Sequence, residues 1–473
     1  MAGFDLVVRG GTVITASDRG RYDIGVQDGR IAALGLDLEP GTREIDAESL
    51  WVLPGGIDSH VHLDQPQPPG IVQADDFLTG TRAAAAGGNT TVMPFVAQIK
   101  GESLRQAVTA YHAKAAGKCY VDVSFHLIIS DPTATVLGQE LPALVHDGYT
   151  SFKVFMTYDD LVLNDRELLE VMEVARREQA LMMVHAEGYD SIKFLTERLE
   201  RSGKTAPYFH AESRPDIVER EATHRAISHG ELLDTPLMIV HVSSRAAMEQ
   251  IRWAQARGLK VYAETCPQYI ALTAKDLEGL NMEGARYVCS PPPRDEDSQK
   301  AIWEGIEQGV FSTFSSDHAP YFYEGSEGKQ NPKARTSFRW VPNGIPGVQT
   351  RLPILFSEGV SKGRISPETF VALTSTNHAR MYGLYPRKGT IAIGADADLA
   401  LWDPLREETI TQSKMLHGSD YTPYEGMRVK GWPVTTIVRG QVVFADGELK
   451  GEPGFGQHLA RELSPYAKPG RPS

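Results

Sequence analysis

Gly55-Gly56-Ile57-Asp58-Ser59-His60-Val61-His62 is an apolar run that ends in two histidines. In a strand, residues two apart share a face, so both imidazoles point the same way at its C-terminal end. Seven more short apolar runs follow, at 90–95, 121–127, 151–156, 181–185, 237–243, 260–265 and 312–317. Longer amphipathic stretches separate them, with helices expected over 161–179 and 244–258. Eight strand–helix units predict an α/β chain built as a (β/α)8 TIM barrel. Near-continuous apolar strands suit a parallel sheet buried on both faces.

Both ends of the chain have a different texture. Phe4 to Arg9 alternates, Gly10-Gly11 is expected to turn, and an Asp28-Gly29 hairpin signal lies between apolar runs. The stretch after Pro386 repeats this pattern and carries a second such signal at Asp446-Gly447. Chain ends often lie close together, so the two segments are expected to pair into one small β-sandwich domain. The expected units are 1–51 and 385–448 for that domain, 52–384 for the barrel, and 449–473 for a C-terminal tail. The tail is an expected oligomer contact, loose from Tyr466 onward.

A chain of 473 residues accommodates one barrel and a smaller domain. Its 41% hydrophobic and 23% charged content is that of a globular protein, not a disordered or fibrous one. With 48 Lys+Arg against 61 Asp+Glu the net charge is −13, which argues against nucleic acid or an anionic membrane as partner. No apolar run approaches the roughly 20 residues of a membrane helix. The opening MAGFDLVVRGG carries no basic segment followed by an apolar core, so no signal peptide is expected. Three cysteines cannot build a disulfide framework and point to a reducing compartment, the cytoplasm. Cys266 and Cys289 read as small packing residues. With 14 histidines against those three cysteines, any metal must sit on nitrogen and oxygen.

Barrel enzymes place their sites at the C-terminal ends of the strands. Five runs end in, or carry, a metal-ligating side chain there: His60 and His62, Lys153, His185, His241 and Asp317. Each alone is weak evidence; together they are costly to bury without a shared partner, and a metal centre is the simplest one. Lys153 should face the barrel interior, where an isolated ammonium is strongly disfavoured. Reaction with CO2 would turn it into an anionic carbamate able to bridge two cations. Four histidines, one carbamate and one carboxylate suit two divalent ions such as Zn2+, with Mn2+ as the alternative. His318 follows Asp317 and should face the other way.

The chain resembles the cyclic amidohydrolases, specifically the dihydropyrimidinase/hydantoinase family. The likeness runs through Pro54–His62, Ala74-Asp-Asp-Phe77, Phe152-Lys-Val-Phe-Met-Thr-Tyr158, Glu264-Thr-Cys-Pro-Gln-Tyr269, Ser290-Pro-Pro, Ser316-Asp-His-Ala-Pro320, Pro342-Asn-Gly-Ile-Pro-Gly347 and Gly394-Ala-Asp-Ala-Asp398. It implies that His60, His62 and Asp317 bind the more buried metal, that His185 and His241 bind the other, and that N6-carboxylated Lys153 bridges them. It further implies a metal-bridging hydroxide as nucleophile and Asp317 as general base and acid. Tyr158 would hydrogen-bond the oxyanion, and Ser290 and Asn343 would hold the amide edge of a small cyclic amide. The implied reaction opens hydantoins or dihydropyrimidines to N-carbamoyl amino acids. The usual assembly of the family is a homotetramer, sometimes a homodimer.

Two loops depart from the family pattern. Leu63-Asp-Gln-Pro-Gln-Pro-Pro-Gly70 follows His62, and Asp159-Asp-Leu-Val-Leu163 follows Tyr158. Leu63, Ile71, Val72 and Leu161 are expected to line an apolar pocket, which favours an aryl- or alkyl-substituted hydantoin over dihydrouracil. Allantoinase and related ureide hydrolases are the alternative reading. Dihydroorotase is disfavoured because Asp64 would repel a substrate carboxylate. A non-catalytic scaffold relative is disfavoured because all six ligand positions are present.

Overall fold

The computed structural model describes residues 3–470. The chain opens with β1 (Phe4–Ile14), β2 (Arg19–Gln27), β3 (Arg30–Gly35), β4 (Gly41–Asp46) and β5 (Trp51–Pro54). The barrel follows. Its strands are β6 (Gly56–Val61), β7 (Asn89–Ala97), an interrupted third position made of β8 (Asp122–Val123) and β9 (His126–Ile128), then β10 (Ser151–Phe155). β11 (Leu181–His185), β12 (Leu237–Ile239), β13 (Val261–Thr265) and β14 (Thr313–Phe314) complete it. β15 (Leu399–Thr409), β16 (Arg428–Val438), β17 (Gln441–Ala445) and β18 (Glu448–Leu449) end the chain.

The barrel strands pair in parallel and in sequence order from β6 to β14. Every expected apolar run supplies one position. Closure between last and first rests on a parallel bridge of Val61 with His318 and on His62 N donating to His318 O at 2.7 Å. Alternation then sorts the side chains. On β10 and β11, Phe152, Val154, Met182 and Val184 join the core under the helices, while Phe155, Leu181 and Met183 fill the interior. The two expected helices run over Asp165–Glu178 and Arg245–Ala256, each opened by an N-cap, Asn164 and Ser244, whose side chain accepts a free backbone N–H.

The chain ends build the second unit as one nine-stranded sheet. β5 pairs in parallel with β1 and antiparallel with β15, so Trp51 sits opposite Trp402 and the two termini share a sheet. The sheet folds onto itself around Val8, Val26, Ile31, Leu399 and Ile437. The Asp28-Gly29 and Asp446-Gly447 turns form, with φ between +51° and +80° at all four residues. Gly10-Gly11 does not turn. β1 runs straight through, its register against β2 shifts between Val8 and Gly11, and Gly10 at φ +64° makes a bulge.

The tail is also corrected. Leu459 and Ala467 pack into the barrel-interior core, and the buried Arg461 donates to Ser151 Oγ and Phe125 O. Tyr466 and Ala467 therefore pack on the floor of the barrel, and Gly470 N donates to Asp234 Oδ2 at 2.8 Å, so the segment does not hang free; 471–473 lie outside the described residues. No helix among the described residues is long and apolar enough to cross a membrane.

Candidate metal centre

The six expected ligands converge at the barrel mouth. Lys153 Nζ lies 3.1 Å from His60 Nε2. Asp317 Oδ1 lies 3.2 Å from His60 Nε2 and 3.3 Å from His62 Nε2. The ring centroids of His185 and His241 are 4.4 Å apart, and those of His60 and His241 are 5.3 Å apart. His60, His241 and Asp317 alone place three ligand atoms within 4.8 Å of one another.

The outer nitrogen of three imidazoles is pinned. His60 Nδ1 meets Glu264 Oε1 at 2.6 Å, His62 Nδ1 meets Gln65 Oε1 at 2.8 Å, and His185 Nε2 meets Glu187 Oε2 at 2.7 Å. These partners fix the tautomers and leave the inner nitrogens to face the cluster. His241 Nδ1 is buried and makes no hydrogen bond. A buried imidazole nitrogen without a partner, beside three other converging donors, fits a cation ligand.

The electrostatics agree. Burial, then the Lys153 charge, holds His60 well below the usual histidine range, and burial with the neighbouring His185 does the same to His241. Both are neutral and able to ligate. Burial lowers Lys153 to about 8, against the pull of Asp317 and Glu264. Burial works to raise Asp317, but its contacts with His60 and His62 and the nearby Lys153 ammonium outweigh it and hold it below its usual value.

Backbone strain marks the same residues. Tyr158, His241 and Asp317 have φ of +73°, +42° and +49°. Left-handed non-glycine residues cost about 1–3 kcal/mol each and persist where the surroundings over-determine them. At His241 the kink has a clear effect. Met238 and Val240 already take the inward places on that run, so plain alternation would send His241 outward.

Tyr158 is half-buried against His185, ring centroids 5.3 Å apart, with the Arg214 guanidinium 5.4 Å from its ring. Burial pushes its phenol up to about 12, opposed by Arg214 and by hydrogen bonds from Ser290 and Asn343. Those three side chains thus meet at one point on the mouth. Leu161 is half-buried beside them, and Val162 N donates to Tyr158 O at 2.8 Å. Leu63 is a correction. It is 1% exposed and packs on the helix Phe77–Ala86, where a Cβ on Gly80 would come within 2.3 Å of it. It supports the loop from behind and does not line the mouth. Val72 is exposed and Ile71 half-buried. Asp64 is ion-paired with Lys114 at 3.2 Å, so its charge is partly answered and repels a substrate carboxylate less than expected. His318 does face away, with Nε2 3.0 Å from Asp75 Oδ2 and Nδ1 accepting from Gly347 N. Cys266 and Cys289 are buried thiols pushed upward by burial.

Glu264 and Glu187 were missed as site residues. Glu264 accepts from Ser315 Oγ at 2.7 Å and from His241 N at 3.3 Å besides holding His60, and burial raises it to about 7. It shares the inward face of β13 with Tyr262, the same alternation argument that picks out Lys153. Glu187 joins His185 to Arg214 through a 2.7 Å ion pair.

The Amidohydrolase family model matches residues 51–443. The D-hydantoinase of Ralstonia pickettii is 43% identical over 97% of this chain and 99% of its own. That of Geobacillus stearothermophilus is 45% identical over 96% of each. The crystal structure of dihydropyrimidinase from Brevibacillus agri superposes with a TM-score of 0.94 at 42% identity, covering 97% of this chain and 99% of that one.

Proposed function

The chain belongs to the amidohydrolase family, and on that premise we propose that it is a hydrolase of 5-substituted hydantoins, opening the ring to an N-carbamoyl amino acid. The observation that carries this reading is the convergence of His60, His62, Lys153, His185, His241 and Asp317 at the barrel mouth, with three of the four imidazoles already tied down from outside. Full-length likeness to two D-hydantoinases supports the substrate class and favours the D-configured ring.

The donor set fits two divalent cations, Zn2+ with Mn2+ as the alternative. His60, His62 and Asp317 would hold one and His185 and His241 the other. Lys153 would bridge them as its carbamate, formed when the free amine adds to CO2 and loses a proton; the lowered pKa favours that free amine. Bound cations supply Lewis-acid polarisation of the amide carbonyl and a nucleophile available near neutral pH. Asp317 takes the proton of the attacking water and returns it to the departing ring nitrogen. Tyr158 donates its O–H to the carbonyl oxygen as charge develops there. Ser290 and Asn343 hold the amide edge that is not cleaved. Leu161 and Val72 flank the exocyclic group, which favours an aryl or alkyl substituent.

A panel of D- and L-phenylhydantoin, dihydrouracil and allantoin tests this on zinc- and manganese-supplemented protein. We expect the highest kcat/KM for D-phenylhydantoin and close to two metal ions per chain. A strong preference for dihydrouracil or allantoin, or fewer than one ion per chain, overturns it. A homotetramer, or a dimer, in the cytoplasm is the proposed setting, and light scattering gives the mass.

A further inference from the structure

Lys329 lies outside this cluster yet is as deeply buried as Lys153, at 0% exposure. Its Nζ donates to Val288 O at 2.6 Å and to Pro342 O at 2.8 Å, with the Tyr321 ring 5.9 Å away. No carboxylate within 4 Å offsets its charge among the described residues, and burial lowers it to about 7. A methionine would fill the same volume without desolvating an ammonium. The two carbonyls show what the lysine does there.

Val288 stands two residues before Ser290, and Pro342 immediately precedes Asn343. Val288 O also accepts from Gly344 N at 3.1 Å. Segments 288–290 and 342–344 are therefore joined by one backbone bond and one lysine bridge. On its other side Gly344 is held against a third segment: it has φ +156°, and a Cβ there would lie 2.4 Å from Ala319 O. Tyr321 connects the same junction to the first mouth loop by donating to Gln67 Oε1 at 3.0 Å.

We propose that Lys329 is a positioning residue for substrate recognition: it fixes the spacing of Ser290 and Asn343, and so the grip on the uncleaved amide edge of the ring. The inference rests on the assignment of those two residues above. Removing the bridge lets the two segments drift while the metal ligands stay in place. The loss falls on KM rather than on kcat.

The test is steady-state kinetics of Lys329→Met and Lys329→Gln with D-phenylhydantoin, beside metal content and thermal melting. We expect KM to rise roughly 10- to 100-fold for Lys329→Met, the scale of an ångström-sized misplacement, with kcat within a few fold. Metal content and melting temperature should hold, and Lys329→Gln should recover part of the loss because its amide can donate to the same carbonyls. In a double-mutant cycle, Asn343→Ala should cost much less in the Lys329→Met background than alone. Unchanged KM, full additivity with Asn343→Ala, or failure of both Lys329 variants to fold overturns the inference. If Asn343→Ala itself leaves KM unchanged, the site assignment falls instead, which separates the two failures.

Discussion

Lys153 and Lys388 are both 1% exposed, yet the protein treats them in opposite ways. Lys388 sits at the seam between barrel and β sheet, 2.6 Å from Asp122, 3.0 Å from Asp396 and 2.6 Å from Asp398. Burial alone would lower its pKa, but the three carboxylates win and raise it. Arg439 adds a second cation on Asp122. Lys153 at the mouth has no such cage; it faces the rings of Phe95 and Phe155 and the imidazole of His60, and burial lowers it. One lysine is a permanent cation holding two parts of the chain together. The other holds its proton far less tightly than a free lysine and is available for chemistry. Burial does not distinguish them; the number of carboxylates around each does.

The most drastic way to break the comparison is to remove each lysine. Lys153→Ala should lose most bound metal and at least about 10^4-fold in kcat, because the bridge and the chemistry it supports go together. Elemental analysis and turnover check this, and full activity in the variant removes the carbamate reading. The fold should survive, since no ion pair among the described residues depends on that ammonium. Lys388→Met should do the reverse. It leaves buried Asp398 without an ion-pair partner and takes one of two cations from Asp122 and Asp396, and should cost about 3–5 kcal/mol of stability in urea unfolding, while the remaining folded enzyme turns over normally.

A gentler probe uses pH. Lys388 has a raised pKa in the folded state, so its contribution is fully present below the unfolded value of about 10.4 and is lost as pH rises above it. Wild-type stability should therefore fall between about pH 10 and 12 more steeply than that of Lys388→Met. Parallel curves for the two would mean that the cage does not hold the proton. At the mouth, Glu264→Gln keeps the shape behind His60 and removes the charge. Metal affinity should drop about 10- to 100-fold, the usual cost of an outer partner, with little change in melting temperature.

How much of this was legible follows from how local each signal is. The eight strand runs, and the place of His60, His62, Lys153, His185 and Asp317 at their ends, follow from alternation within a few residues. Glu264 obeys the same rule, at the inward end of its run in Glu264-Thr-Cys-Pro-Gln-Tyr269. The seam was not legible. Asp396 and Asp398 stand in Gly394-Ala-Asp-Ala-Asp398, but Asp122 lies 266 residues from Lys388, and only the closed sheet order brings them together. Leu63 was misplaced for a related reason. Its neighbour is Gly80, and nothing near position 63 tells which side of the loop meets that helix. The tail escaped because its burial depends on the barrel floor, with Leu459 and Ala467 packing on strands far earlier in the chain.

The smallest effect sharpens the mouth side of the comparison. Leu161 is half-buried beside Tyr158 and makes no polar contact that the chemistry needs. If it flanks the exocyclic group, Leu161→Ala should lower kcat/KM for D-phenylhydantoin by about fivefold while leaving dihydrouracil unchanged, since partial loss of apolar contact is worth about 1 kcal/mol. Metal content should not move. An equal loss on both substrates would mean that Leu161 only supports Tyr158, and that the substituent is read elsewhere on the mouth, with Val72 as the next position to test. Either result separates the part of the mouth that recognises from the part that reacts, a division the seam around Lys388 does not have.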